Sequence, residues 1–233
     1  MDQDLAQKLL EKTKSNFNRI ASEFSHTRRY LWPELVNLFR GYIKYGESVL
    51  DIGCGNGRLL DLYIGMIVNY VGIDNSEKQI EMAIKRYPNR VFLTGDALNL
   101  PFSENYFDKV FSIAVLHEIP SSELRKKFLQ EAKRVLKDNG LIFLTVWDLR
   151  NRKLLSLKYS FLRLIKRSGL DKGDVFIRWG REVERYYHVF GEKEIRKLVK
   201  EAGFDIIEMG VAKKEKSKKA NIYLIAKKSS LSL

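Results

Sequence analysis

A single cysteine, Cys54, stands in this 233-residue chain. That scarcity excludes an internal disulfide framework and any metal site assembled from several thiolates, so no metal is expected. Long apolar runs are missing too. The longest, Leu141 to Trp147, falls far short of the ~20 residues that a membrane-crossing helix needs. No signal peptide is visible at the N-terminus, so the expected setting is cytoplasmic, without stable membrane insertion. Internal repeats and a domain linker are also lacking. The chain reads as one α/β domain over 1–233, long enough to bury about 70% of its unfolded surface.

Negative charge is scarce as well: 29 Asp and Glu face 42 Lys and Arg, a net charge of +13. The deficit is local. Residues 1–149 hold 20 basic and 19 acidic side chains, a balance of +1, whereas residues 150–233 hold 22 and 10, a balance of +12. Such asymmetry points to a polyanionic partner or an anionic membrane surface; a merely solubilising lysine-rich surface is the alternative.

What is present centres on Val49-Leu50-Asp51-Ile52-Gly53-Cys54-Gly55-Asn56-Gly57. A buried strand runs into three glycines at alternate positions, and a helix pattern begins near Arg58. Glycine serves where the backbone takes positive φ or where a ligand must lie against bare main chain. The spacing is G-x-G-x-G, not the dinucleotide G-x-G-x-x-G. Seventeen residues past Gly57, the strand Tyr70-Val71-Gly72-Ile73 ends in Asp74. That offset is close to the one at which a carboxylate meets both ribose hydroxyls of a nucleotide. A third strand, 91–93, runs into Asp96, and a fourth spans 107–115.

The rest of the chain extends this alternation. Helices are expected over 5–24, 33–45, 58–63, 76–86 and 192–202, and another opens at Ser121-Ser122 and closes at Asn139-Gly140. A fifth strand covers 141–147, and 204–209 with 222–226 form a closing hairpin. Residues 1–46 make an N-terminal helical cap. Residues 148–190 break the alternation as a basic insertion after the fifth strand, read as a lid or substrate-binding element, with a membrane-surface helix at 154–165 as the competing reading. The run Lys213 to Lys219 is a solvated loop or a phosphate contact.

This succession resembles the class I S-adenosylmethionine (SAM) methyltransferases over most of the chain. The resemblance implies a seven-stranded, mostly parallel Rossmann-like sheet with a reversed last strand. It implies SAM as cofactor, with Gly53, Gly55, Gly57 and Ile113 lining it, Asp51 near its ammonium, Asp74 on its ribose and Asp96 facing its adenine. A second series resembles the tRNA wobble-uridine carboxymethyl methyltransferases: Ser25-x-Thr27-Arg28 with Trp32-Pro33, Ser112-Ile113-Ala114-Val115-x-His117, Asp174-Val175-Phe176-Ile177-x-Trp179, and Arg185-Tyr186-Tyr187-His188. That family esterifies the carboxylate of a 5-carboxymethyl uridine in the anticodon loop of tRNA and pairs with a small zinc-binding activator protein. Many of its members carry a second histidine where this chain has Glu118.

On this reading Arg28 and Arg185 hold the substrate carboxylate, Tyr186 and His188 orient it, and His117 completes the catalytic set. Each has a structural alternative: an arginine paired to Glu182 or Glu184, or a tyrosine packing the lid. A carboxylate is already ionised and nucleophilic at neutral pH, so arginine forks are needed more than a strong base. Methylation of a quinone-like lipophilic molecule and a SAM-binding RNA module without turnover are the other two readings.

Overall fold

The computed structural model describes residues 1–150, 157, 169–180, 183–215 and 219–229. Most of the apolar segment 154–165, Arg181, Glu182 and the lysines at 216 and 218 therefore lie outside the described residues.

Nine strands are described: β1 (Ser48–Ile52), β2 (Asn69–Asp74), β3 (Val91–Thr94), β4 (Phe107–Ile113), β5 (Leu136–Trp147), β6 (Asp174–Trp179), β7 (Val183–His188), β8 (Phe204–Lys213) and β9 (Ala220–Lys228). Seven form one sheet in the order β3-β2-β1-β4-β5-β9-β8. The pairs among β1 to β5 are parallel, whereas β9 runs antiparallel to both β5 and β8. The last strand is thus the reversed one. The central strands read as near-continuous apolar runs because helices cover both faces.

Among the described residues five α-helices flank the sheet: α1 (Gln3–Thr27), α2 (Pro33–Arg40), α3 (Glu77–Arg86), α4 (Ser122–Val135) and α5 (Glu192–Glu201). On one face Phe128, Leu129, Val135, Ile195 and Val199 pack against Leu50, Val110 and Leu144. On the other, Phe39 of α2 meets Phe111 and Phe143, whose rings stack 4.4 Å apart. Each such fully buried ring contributes roughly 1.5–3 kcal/mol.

Some element boundaries differ from the sequence reading. The first crossover, Arg58–Tyr63, is a 3-10 helix. Helix α2 stops at Arg40, and Tyr42 instead donates its hydroxyl to Glu208 Oε2 at 2.9 Å. Helix α4 ends at Val135, before Asn139-Gly140. Leu136 is fully buried opposite Phe107, so the strand begins there and a register irregularity carries the chain on to Leu141. In the insertion, β6 and β7 form a two-stranded antiparallel ribbon, from Asp174 opposite His188 to Trp179 opposite Val183. Asn16 of α1 donates to the Glu184 carbonyl at 2.9 Å and ties the ribbon to the N-terminal helix.

Candidate active site

A cavity of about 1280 Å³ opens above the carboxyl ends of β1, β2 and β4. This is the crevice where parallel sheets bind ligands. Gly53 and Gly55 line it, together with Asn56, Arg58, Asp74, Gln79, Asp96 and Ile113. Gly53 has φ +70°, and a Cβ there would collide with Val115. Gly57 (φ +75°) sits behind the turn, where a Cβ would meet the Phe92 ring at 2.9 Å. Only glycine satisfies both the handedness and the space.

Asp74 accepts the Gly55 N–H on Oδ2 and the Ser76 N–H on Oδ1, each at 2.9 Å. Burial nonetheless raises its pKa against those donors. Asp96 Oδ1 accepts the Leu98 N–H at 2.8 Å, closing its own turn at the cavity wall. Helix α1 covers this end of the cavity. Asn56 Nδ2 donates to Ser25 Oγ (3.2 Å) and to the Arg28 carbonyl (3.3 Å), while Ser76 Oγ donates to Asn18 Oδ1 at 2.6 Å.

Asp51 is placed differently from the sequence reading. It is not on the cavity wall: it lies beneath the turn, 2% exposed, taking the Tyr70 hydroxyl at 2.9 Å. Burial pushes its carboxyl up to about 7. Through that hydrogen bond Asp51 ties β1 to the Tyr70 side chain of the neighbouring strand β2.

The other half of the cavity is built from α1, the 3-10 turn Leu116–Glu118, the end of β5, the β6–β7 ribbon and β9. Arg185 is its centre. The guanidinium carbon lies 4.5 Å from the Phe17 ring centroid, 5.1 Å from Tyr187, 5.2 Å from Trp179 and 5.7 Å from Trp147. Its Nη2 donates to Glu118 Oε1, whereas Nη1 and Nε have no partner among the described residues. Burial pushes the Glu118 carboxyl up to about 7 against the pull of Arg185. Arg28 lies over Trp179 at 4.9 Å, and burial followed by repulsion from Arg185 lowers its pKa.

Arg28 and Arg185 thus meet in one cavity, as the sequence reading expects; Tyr186, His188 and His117 do not join them. Strand alternation turns Arg185 and Tyr187 to one side of β7 and Tyr186 and His188 to the other. Tyr186 donates to Asp174 Oδ1 at 2.7 Å. His188 bridges Asp174 Oδ1 and Glu194 Oε1, both at 2.7 Å. His117 is fully buried and stacks on Tyr187 (5.4 Å); burial drives its pKa well below the ordinary value, so it is neutral. Sequence reasoning missed Arg58, Gln79 and Asn221. Arg58 follows the glycine turn directly, a signal that was available.

Residues 50–144 match the family model of a methyltransferase domain. A protein of Encephalitozoon cuniculi, named as a methyltransferase without an assigned substrate, is 31% identical over 199 residues, covering 83% of this chain and 87% of its own. Among solved structures, a SAM-dependent methyltransferase from Methanosarcina mazei is 26% identical with a TM-score of 0.72, covering 86% of this chain and 99% of its own. The chain belongs to the class I SAM-dependent methyltransferases.

Other relatives carry a narrower name. The tRNA (carboxymethyluridine(34)-5-O)-methyltransferase of Schizosaccharomyces pombe is 29% identical over 220 residues, covering 83% of this methyltransferase and 89% of the yeast protein. The Arabidopsis thaliana protein of that name is 37% identical over 131 residues, and the chain spans 31% of its length. The fold is shared with a chain of the complex between the Haloferax volcanii Trm112 methyltransferase activator and a methyltransferase (17% identity, TM-score 0.69, 94% and 98% covered).

The methyltransferase's own residues suit SAM. The cofactor half offers a bare-backbone cradle at Gly53 and Gly55 and a carboxylate at Asp74. Gln79, 1% exposed on the cavity wall, has both amide atoms unpartnered among the described residues. A buried polar group left so is expensive unless a ligand satisfies it. Among the described residues no cluster of three or more His, Cys, Asp or Glu could hold a metal, and no helix is long and apolar enough to cross a membrane.

Proposed function

We propose that this methyltransferase esterifies the carboxylate of a 5-carboxymethyl-type uridine at the wobble position of tRNA. The observation that carries the reading is Arg185: a buried guanidinium with Nη1 and Nε unpartnered, beside a second arginine, Arg28, in the same cavity. A planar cation with unpartnered N–H donors suits a carboxylate. The names of the Schizosaccharomyces pombe and Arabidopsis thaliana relatives support the same substrate, as does the +12 balance of residues 150–233.

In this reading Gly53, Gly55 and Ile113 line the cofactor, Asp74 accepts its ribose hydroxyls, Gln79 satisfies its own amide on it, and Asp96 faces the adenine. When bound, SAM supplies an activated methyl on a sulfonium leaving group. Arg28 and Arg185 would hold the substrate carboxylate within the same cavity. The substrate carboxylate, already ionised, would need no base before accepting that methyl. No proton moves, so neutral, buried His117 has no base to be. The aromatic box around Arg185 excludes water and strengthens the hold.

An activator partner is part of the proposal. Strand β3 is one edge of the sheet and exposes Val91 (52%) and Leu93 (38%). An unpaired apolar edge is a surface that another strand can extend.

Labelled methyl transfer from SAM to purified tRNA bearing 5-carboxymethyluridine, beside the same tRNA lacking the carboxymethyl group and beside a lipid extract, tests the reading. Base-labile label in the carboxymethyl RNA alone is expected. Label in the lipid extract instead would move the substrate to a small lipophilic molecule.

A further inference from the structure

The substrate half of the cavity contains a polar group that neither the arginine pair nor the cofactor uses. Asn221, on β9, is 3% exposed, lines the cavity, and has no hydrogen-bond partner for its side-chain amide oxygen among the described residues. It stands directly opposite Trp147 in the β5–β9 register and opposite Ala212 in the β9–β8 register. Directly opposed residues share a sheet face with Cβ atoms roughly 5 Å apart, so the Asn221 amide and the Trp147 indole adjoin. The far side of Trp147 leads to Arg185, whose guanidinium carbon is 5.7 Å from the ring centroid. On the open side, Lys214 lies over the Trp32 ring at 5.8 Å, and both line the same cavity. An amide, aromatic surfaces and a rim lysine, lining the same cavity as the carboxylate-binding arginine, have the composition of a nucleoside pocket.

We infer that Asn221 reads the imide edge of the substrate base, which enters the cavity unstacked and lies against Trp147 and Trp32. This rests on the proposed carboxymethyl-uridine substrate and specifies how its base is recognised. A primary amide presents one donor beside one acceptor. The uracil edge next to C5 presents the complement, an O4 acceptor and an N3–H donor, so the two close a pair of parallel hydrogen bonds. Unpaired RNA bases are read in this way, by stacking on aromatic side chains and hydrogen bonds to the exposed edge. The buried acceptor of Asn221 stays costly until a donor meets it, which makes the base the group that completes the site. C5 adjoins C4 on the ring, so its carboxymethyl arm projects beside that edge toward the arginines.

The test uses two synthetic anticodon stem-loops, one with 5-carboxymethyluridine at the wobble position and one with its N3-methyl derivative. N3-methylation removes the donor but leaves the carboxylate intact. Single-turnover methyl transfer from labelled SAM by the wild-type protein should be roughly tenfold to a hundredfold slower on the N3-methyl loop, as for a buried acceptor left unpaired. Asn221→Ala should be slower on the unmethylated loop and should treat the two loops within about threefold of each other. Asn221→Ser, whose hydroxyl still accepts, should restore part of the discrimination. Calorimetric SAM affinity, unchanged in both variants, shows that each is folded. Full wild-type discrimination retained by Asn221→Ala overturns the pocket alone. No transfer by the wild type to either loop, with SAM binding intact, overturns the proposed substrate and the pocket with it.

Discussion

The cofactor half of the cavity is made largely of main chain, and the substrate half of side chains. Around Asp74 the contacts are backbone N–H groups of Gly55 and Ser76, presented by a glycine turn between parallel strands. Around Arg185 they are Phe17 from α1, Glu118 from a 3-10 turn, Trp147 from β5, Trp179 from β6 and Tyr187 from β7. A main-chain site comes with the sheet topology and varies little with sequence. A side-chain site depends on five elements arriving together, and single substitutions can retune it. Cofactor binding and substrate choice should therefore fail separately, and the strongest experiments are those that try to make them fail together.

The largest effect is expected at Asp74. Asp74→Ala removes a buried carboxylate from the end of β2, where two ribose hydroxyls would each make a charge-assisted hydrogen bond worth ~1.5–3 kcal/mol. SAM affinity measured by calorimetry should fall roughly a hundredfold or more. RNA affinity, read by anisotropy without SAM, should stay within about twofold, since the RNA is expected to touch the other half. A parallel loss of both would show that the halves are one cooperative unit.

Arg185→Lys comes next and works in the opposite direction. Lysine keeps the charge but loses the planar fork, so kcat/KM for the carboxymethyl stem-loop should drop about tenfold to a hundredfold. SAM affinity should not change. Transfer at the wild-type rate would remove the carboxylate from Arg185.

How far each half was legible in the sequence follows the same division. The glycine turn and Asp74 are written in short-range spacing, because one strand-turn-helix unit and the strand after it contain the cradle. Inside that unit the reading placed two residues differently from the structure: Asp51, whose side chain is buried away from the cleft, and Gly57, which backs the turn against Phe92. The substrate half was legible in pieces. Arg28 and Arg185 were named for their chemistry, and the structure brings both to one cavity. Tyr186 and His188 were grouped with Arg185 because they adjoin it in sequence, although a strand sends neighbours to opposite faces. Gln79 and Asn221 leave no local signal: their weight comes from being buried on a cavity wall without partners, which only packing reveals.

A smaller effect should sharpen the comparison at Glu118. Its carboxyl is pushed up to about 7 by burial and shares Arg185 with whatever carboxylate enters. Below that pH Glu118 is protonated and Arg185 is free for the substrate; above it the ionised Glu118 competes. KM for the carboxymethyl stem-loop should therefore rise a few-fold from about pH 6 to 8 while single-turnover kcat stays flat, because the substrate carboxylate is ionised throughout. Glu118→Gln should flatten the KM profile. A limb in kcat near the histidine range of about 6.5 would instead reveal a catalytic base.

The smallest effect separates the ribbon's outer face from the cavity. His188 sits between Asp174 and Glu194, with Tyr186 and Arg125 facing the same cluster. Burial works to lower its pKa, but its hydrogen bonds to the two carboxylates outweigh that and raise it above 6.5. A raised pKa means stability that is fully present below about 6.5 and lost as pH rises through the folded value. The partner Glu194 is shifted down: burial raises it, the bond to His188 lowers it, and the second prevails. Its share is present above the ordinary carboxylate range and disappears as pH falls through the lowered value. The brace is thus strongest between these limits, at about pH 5 to 6.5. His188→Gln should lower Tm by about 2–4 °C there, the shift expected for ~1 kcal/mol in a chain of this size, with the gap narrowing toward pH 8. Its single-turnover rate at saturating SAM and RNA should match the wild type. A pH-independent Tm gap would show a neutral histidine. A normal Tm with a slowed, pH-dependent methyl transfer would return His188 to the cavity side of the strand.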